Sequence, residues 1–260
     1  MRRPPKAGAR RYHPHGCYQT GSWEQKGRVA EDNGHTEGRL RARPVGYPAR
    51  AAGFAPAGLR PLGVSTARGG YLYVPAAYRT GGPAPLVLLL HGAGEDARDG
   101  LALLRQQADT AGLILLALTS RGPTWDLIVG RGRYGPDVAS IDLALESVFS
   151  RYAVDPARIA VGGYSDGASY ALSLGITNGD LFTHVLAFSP GFMVPAGRKD
   201  APRIFVSHGT SDGWLPIDRC SRRIVPQLER AGYEVRYREF EGGHVVPPEI
   251  GRDAVGWFTA

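Results

Sequence analysis

A serine hydroxyl attacks a carbonyl at neutral pH only where a neighbouring base takes its proton. An imidazole serves best when a carboxylate fixes its tautomer and stabilises its cation. The chain holds residues for all three roles. Gly163-Tyr164-Ser165-Asp166-Gly167 matches G-x-S-x-G, the pattern of a serine on a sharp turn between a strand and a helix. Alone the pattern is weak in a sequence with 36 glycines, and Gly63-Val64-Ser65-Thr66-Ala67 comes within one residue of it. Its setting strengthens it: the apolar run Ile159-Ala160-Val161-Gly162 enters the motif, and the helix-compatible Ala168-Ser169-Tyr170-Ala171-Leu172 leaves it.

With a serine on such a turn, the chain order is serine, acid, histidine. Downstream of Ser165 lie His184, His208 and His244. His184 opens an expected strand and His208 closes another, positions ordinary for a half-buried structural histidine. His244 follows Gly242-Gly243 on a loop beyond the run 233–240, where a side chain can reach over the sheet, and is the favoured base. Among the acids, Asp218 suits a helix cap, and Asp200 precedes its strand, at the wrong end of a sheet. Asp212 follows the run 204–207 on a turn and is favoured, although Asp-Gly is also a common turn pair.

Attack places negative charge on the carbonyl oxygen, which needs N–H donors. A helix opening at Asp166 aims its positive dipole end and free N–H groups at Ser165. His91-Gly92-Ala93-Gly94 directly follows the run 86–90, the place expected for a second donor. The backbone N–H groups of Ala93 and Asp166 are therefore the expected oxyanion donors, with His91 structural. Two loops, 119–136 and 189–193, and the residue after Gly213 supply substrate-pocket candidates: Trp125, Phe192, Met193 and Trp214. Packing beneath the loops is the competing role for these side chains. No His, Cys or carboxylate spacing suits a metal and no glycine-rich phosphate loop is present, so no cofactor is expected.

Elements must position these residues. From about residue 63 short apolar runs alternate with helical periods, the signature of an α/β domain whose mostly parallel sheet is covered by helices on both faces. Runs at 86–90, 113–118, 159–162, 184–188 and 204–207 read as buried strands. The run 233–240 alternates apolar with charged residues, as near a sheet edge. Helices are expected over 101–111, 166–175, 217–231 (interrupted by Pro226) and 248–258. Another is expected over 137–152, where Val138, Ile141, Leu145, Val148 and Tyr152 recur at spacings of three and four.

In 260 residues, 43% hydrophobic and 21% charged, one domain with a sizeable core is expected. No apolar run approaches the roughly 20 residues of a membrane span. Arg2 and Arg3 precede no apolar stretch of an export signal, so a cytoplasmic location is expected. Cys17 and Cys220 lie far apart, which argues against a structural disulfide. The net charge of +7 divides unevenly: residues 1–50 hold 11 Lys and Arg against 4 Asp and Glu, while the rest hold 20 of each. The domain itself gives no charge argument for nucleic acid. Residues 1–62, rich in Gly, Pro, Arg and Ala and lacking any period, read as a disordered or extended basic leader before a domain at 63–260.

Together, Gly163-Tyr164-Ser165-Asp166-Gly167-Ala168, His208-Gly209-Thr210-Ser211-Asp212, Gly243-His244 and His91-Gly92-Ala93-Gly94 resemble the phospholipase/carboxylesterase family of α/β-hydrolases. More loosely, they resemble polyhydroxyalkanoate depolymerase-type esterases. The resemblance spans about residues 70–260; the leader has no counterpart in it. It implies the α/β-hydrolase fold, hydrolysis of a small-molecule ester or thioester through an acyl-enzyme on Ser165, and no cofactor. The same triad attacks amides, so a serine peptidase or amidase stays open, as does a binding protein on a hydrolase scaffold.

Overall fold

The computed structural model describes residues 34–44, 57–64, 68–80 and 82–260. Its centre is β3 (Ala84–Leu90), buried throughout. Leu86, Leu88 and Leu90 enter one core cluster, Val87 and Leu89 the other. The strand carries a core on each face, and its sequence therefore does not alternate. Each such side chain contributes about 1.5–3 kcal/mol by burial.

Around it stand β1 (Gly58–Pro61), β2 (Gly70–Val74), β4 (Ile114–Leu118), β5 (Val154–Tyr164), β6 (His184–Phe188), β7 (Arg203–Gly209) and β8 (Val235–Phe240), in the order β1-β2-β4-β3-β5-β6-β7-β8. β1 and β2 run antiparallel, and the pairings from β4 to β8 are all parallel. One face is covered by α4 (Pro136–Phe149), α5 (Asp166–Thr177) and α6 (Ser221–Arg230). The other is covered by α1 (Ala97–Ala102), α2 (Arg105–Ala111) and α7 (Pro248–Thr259). A single turn, α3 (Asp126–Val129), lies within the long loop after β4. At the edge, β8 exposes Arg236, Arg238 and Glu239, charges that discourage pairing with another chain.

Three expectations change. The helix expected over 101–111 is two, because Leu104 (φ −130°, ψ 9°) leaves helical geometry between α1 and α2. The strand expected at 159–162 extends to Val154–Tyr164, since Val154 pairs with Ala84 across an irregularity in register. The third change concerns the leader, two stretches of which are ordered. β1 pairs with β2, and residues 34–43 lie as a strap across α4 and α5 with Leu40 and Ala42 buried. The Asn178 carboxamide accepts from Leu40 N–H and donates to Gly38 O, while Asp142 accepts from Arg41 and Ala42 N–H. The hydrogen bond from Arg39, with Arg43 beside it, holds the Asp180 carboxyl down to about 2. A strap with two apolar anchors has no period, and its partners lie 100 residues or more along the chain. The remainder of the expected leader, 1–33 and 45–56, lies outside the described residues, as does Cys17; Cys220 is buried. Among the described residues no helix is long and apolar enough to cross a membrane.

Candidate active site

Ser165 stands between β5 and α5 at φ 56°, ψ −119°, and its N–H donates to Phe188 O at 2.9 Å, continuing the pairing with β6. A non-glycine residue held there costs about 1–3 kcal/mol and turns its side chain out of the sheet. The flanking glycines are required by close approach. A Cβ on Gly163 would collide with Gly167 O and Leu90 O, and one on Gly167 with Leu90 O and His91 O. Where β3, β5 and α5 converge there is no room for a side chain.

The β7 and β8 pairing continues past both strand ends, as Thr210 N–H donates to Phe240 O and Ser211 N–H to Gly242 O, each at 2.9 Å. This brings Asp212 beside His244. His244 Nδ1 lies 2.5 Å from Asp212 Oδ2, and its Nε2 lies 2.9 Å from Ser165 Oγ. A carboxylate only accepts, so Nδ1 carries the proton and the Nε2 lone pair faces the serine hydroxyl. Asp212 is buried, and its Oδ1 accepts from Trp214 and Leu215 N–H at 2.9 Å each. Such a set can take a proton from Oγ and hold the resulting imidazolium against a buried carboxylate.

Two neighbours hold His244 and Asp212. Tyr164 donates its hydroxyl to His244 O at 2.6 Å. Burial, with the charges of Glu95 and Asp212 nearby, pushes this phenol's pKa up, so it stays a donor. His208 Nε2 lies 3.2 Å from Asp212 Oδ2.

In the loop after β3, Gly92 N–H donates to Glu95 Oε2, Gly94 N–H to Pro123 O and Glu95 N–H to Gly92 O. Among the described residues Ala93 N–H donates to no protein acceptor. Asp166 opens α5, where an N–H has no carbonyl four residues back within the helix. Fully buried His91 braces the loop: its Nε2 accepts from Ser120 N–H at 3.0 Å, so its Nδ1–H donates to Gly92 O at 2.7 Å. The Asp166 carboxylate, its pKa raised by burial, accepts from the Thr124 hydroxyl and ties the start of α5 to the long loop.

All four contributing loops leave the carboxyl ends of parallel strands, at the same edge of the sheet. The chain matches no protein-family model and no curated protein. Among solved structures it is similar to the crystal structure of esterase PE8, with TM-score 0.60 at 24% identity over 72% of this chain and 96% of that one. An S-formylglutathione hydrolase from Agrobacterium tumefaciens gives TM-score 0.60 at 14% identity, over 77% and 93%. The Bacillus cereus carboxylesterase gives 0.52 at 22%, over 67% and 87%. This chain has the α/β-hydrolase fold. Within that fold Ser165 occupies the turn after β5, Asp212 the loop after β7 and His244 the loop after β8.

The four pocket candidates of the α/β-hydrolase domain separate. Trp125 is 1% exposed, with its Nε1–H on His91 O at 2.9 Å and its ring against Tyr170, which is a packing position. Met193 is buried and Phe192 partly so, both on core residues. Trp214, 65% exposed, stands open beside Asp212. Sequence reasoning passed over Tyr164, although it sits inside the serine motif, and assigned His208 an ordinary structural place. It also missed Ser169, Ser173 and Thr177. Their hydroxyls, one turn apart on α5, accept the N–H groups of Gly191, Val194 and Ala196 and lay that segment along the helix. A polar residue every fourth position on a buried helix was the available signal.

Proposed function

We propose that this α/β-hydrolase cleaves carboxylic esters or thioesters through an acyl-enzyme on Ser165, with His244 as general base and Asp212 orienting it. The observation that carries this reading is the unbroken path from Asp212 Oδ2 through His244 to Ser165 Oγ, at 2.5 and 2.9 Å. The neighbours named as esterases and as S-formylglutathione hydrolases support an ester or thioester carbonyl as the target.

Ser165 Oγ attacks the carbonyl carbon while His244 Nε2 takes its proton, and the oxyanion is met by Ala93 and Asp166 N–H, each worth about 10² to 10³ in rate. Collapse expels the alcohol or thiol, which leaves with the proton from His244. Water then attacks the acyl-enzyme, giving its proton to His244; the acid departs and Ser165 recovers its hydrogen. Asp212 holds the tautomer and stabilises the imidazolium at both stages.

The test is kcat/KM on p-nitrophenyl esters from acetate to palmitate and on a matched thioester and anilide. Ser165→Ala and Asp212→Asn are expected to lose about 10⁴-fold or more. Hydrolysis of the anilide alone would overturn the ester reading. Hydrolysis of nothing, with no Ser165 labelling by a fluorophosphonate, would leave a binding protein.

A further inference from the structure

We propose that His208 is a positioning residue for the acid: a second imidazole donor on the Asp212 oxygen that already receives His244, it sets how tightly Asp212 holds that base. The inference rests on the triad reading above. His208 closes β7 and is fully buried. Its Nδ1 lies 2.7 Å from Ser221 Oγ, its Nε2 2.8 Å from Leu215 O and 3.2 Å from Asp212 Oδ2. A carbonyl only accepts, so Nε2 carries the hydrogen and Nδ1 accepts from the Ser221 hydroxyl. In that tautomer the Nε2–H donates to Leu215 O, and Asp212 Oδ2, at 3.2 Å, is its second and weaker acceptor. The ring closes on itself, because Leu215 N–H donates to Asp212 Oδ1.

Burial lowers the pKa of His208, so what it offers Asp212 is a neutral donor and not a charge. The other ionisable groups around the pair are His244, Tyr164 at the end of β5, Asp166 on α5, and Glu239, opposite His208 on β8 and itself paired with Arg222. None of these others is within hydrogen-bond distance of His208. A carboxylate oxygen divided between two donors binds each less strongly. With His208 in place Asp212 steadies His244 without over-stabilising the imidazolium. Without it, Asp212 Oδ2 turns wholly to His244.

The experiment compares wild type with His208→Met and His208→Asn, which place no donor at the Nε2 position, and with His208→Gln, whose amide restores one. Asn keeps a polar atom for Ser221 and serves if Met does not fold. Two readouts are taken: the ¹H NMR resonance of the His244 Nδ1 proton in the resting protein, and the acid limb of kcat/KM against pH. With Met or Asn, the resonance is expected to move downfield and the limb to shift to higher pH by about one unit; with Gln both return towards wild type. An unmoved resonance and limb in both donor-free variants, with only thermal stability lowered, would overturn the proposal. The NMR readout needs no turnover, so inactivity of the wild type counts against the esterase reading while His208 is still decided.

Discussion

The Tyr164 ring lies 4.8 Å from the His244 imidazole, and its hydroxyl donates to the carbonyl of the same residue. One side chain thus holds both ring and backbone of His244, from inside the motif that carries Ser165. Tyr164→Phe keeps the ring and loses the hydrogen bond. It is expected to lower kcat about 3- to 10-fold with KM nearly unchanged. Tyr164→Ala frees the imidazole and is expected to cost about 10²-fold. Steady-state kinetics on one activated ester decides it; a Phe variant with full kcat would show that the carbonyl bond does not serve catalysis.

Asp126 and Asp137 cap each other, each carboxylate accepting the other's N–H, at 2.7 and 2.9 Å, and together close the long loop after β4. Burial, with the charge of Asp137 adding to it, raises the Asp126 carboxyl to about 6. The folded protein therefore binds a proton more tightly than the unfolded chain does. The stability contributed is fully present below about pH 4 and is lost as pH rises through 6. Asp126→Asn keeps an acceptor for Asp137 N–H and removes the titration. Urea unfolding from pH 4 to 7 is expected to show wild type losing stability relative to Asp126→Asn over that window; parallel curves would refute it.

Legibility in the sequence followed the range of the signal. The buried strands were readable because a two-sided sheet makes uninterrupted apolar runs such as Leu86 to Leu90, and because G-x-S-x-G names a turn whose glycines answer to backbone collisions. That Asp212 and His244 would come together beside Ser165 was readable through chain order and loop position. The strap at 34–43 was not, because its partners Asn178, Asp142 and Asp180 lie far along the chain and its own two apolar anchors make no period. The tie between His208 and Asp212 was likewise hidden, since four residues apart on a turn specifies no geometry until Leu215 O fixes the tautomer.

Trp125 and Trp214 were alike as pocket candidates and differ in burial, at 1% and 65% exposed. Trp125→Phe keeps most of the buried ring and leaves His91 O without its donor, an expected loss of about 1–3 kcal/mol with the acyl-length preference unchanged. Trp214→Ala is expected to alter stability by no more than about 0.5 kcal/mol and to raise KM for the longer acyl chains. Urea titration and the p-nitrophenyl ester series report both. A changed acyl preference in Trp125→Phe would return that residue to the pocket.

The strap is held chiefly by Asn178, whose carboxamide serves Leu40 N–H at 2.9 Å, Gly38 O at 2.7 Å and its own helix at Leu174 O. Asn178 is fully buried, so truncation strands polar groups that water cannot reach. Asn178→Ala is expected to cost about 1–3 kcal/mol in urea unfolding. Because the strap lies over α4 and α5, away from the Ser165 turn, kcat/KM at 25 °C should stay within about twofold of wild type. Arg39→Ala tests the same attachment from outside, on the partly exposed pair with Asp180, where salt screens the interaction and the expected loss is no more than about 1 kcal/mol. If Asn178→Ala leaves stability intact, the strap rests on Leu40 and Ala42 alone, and Leu40→Ala becomes the variant that releases it.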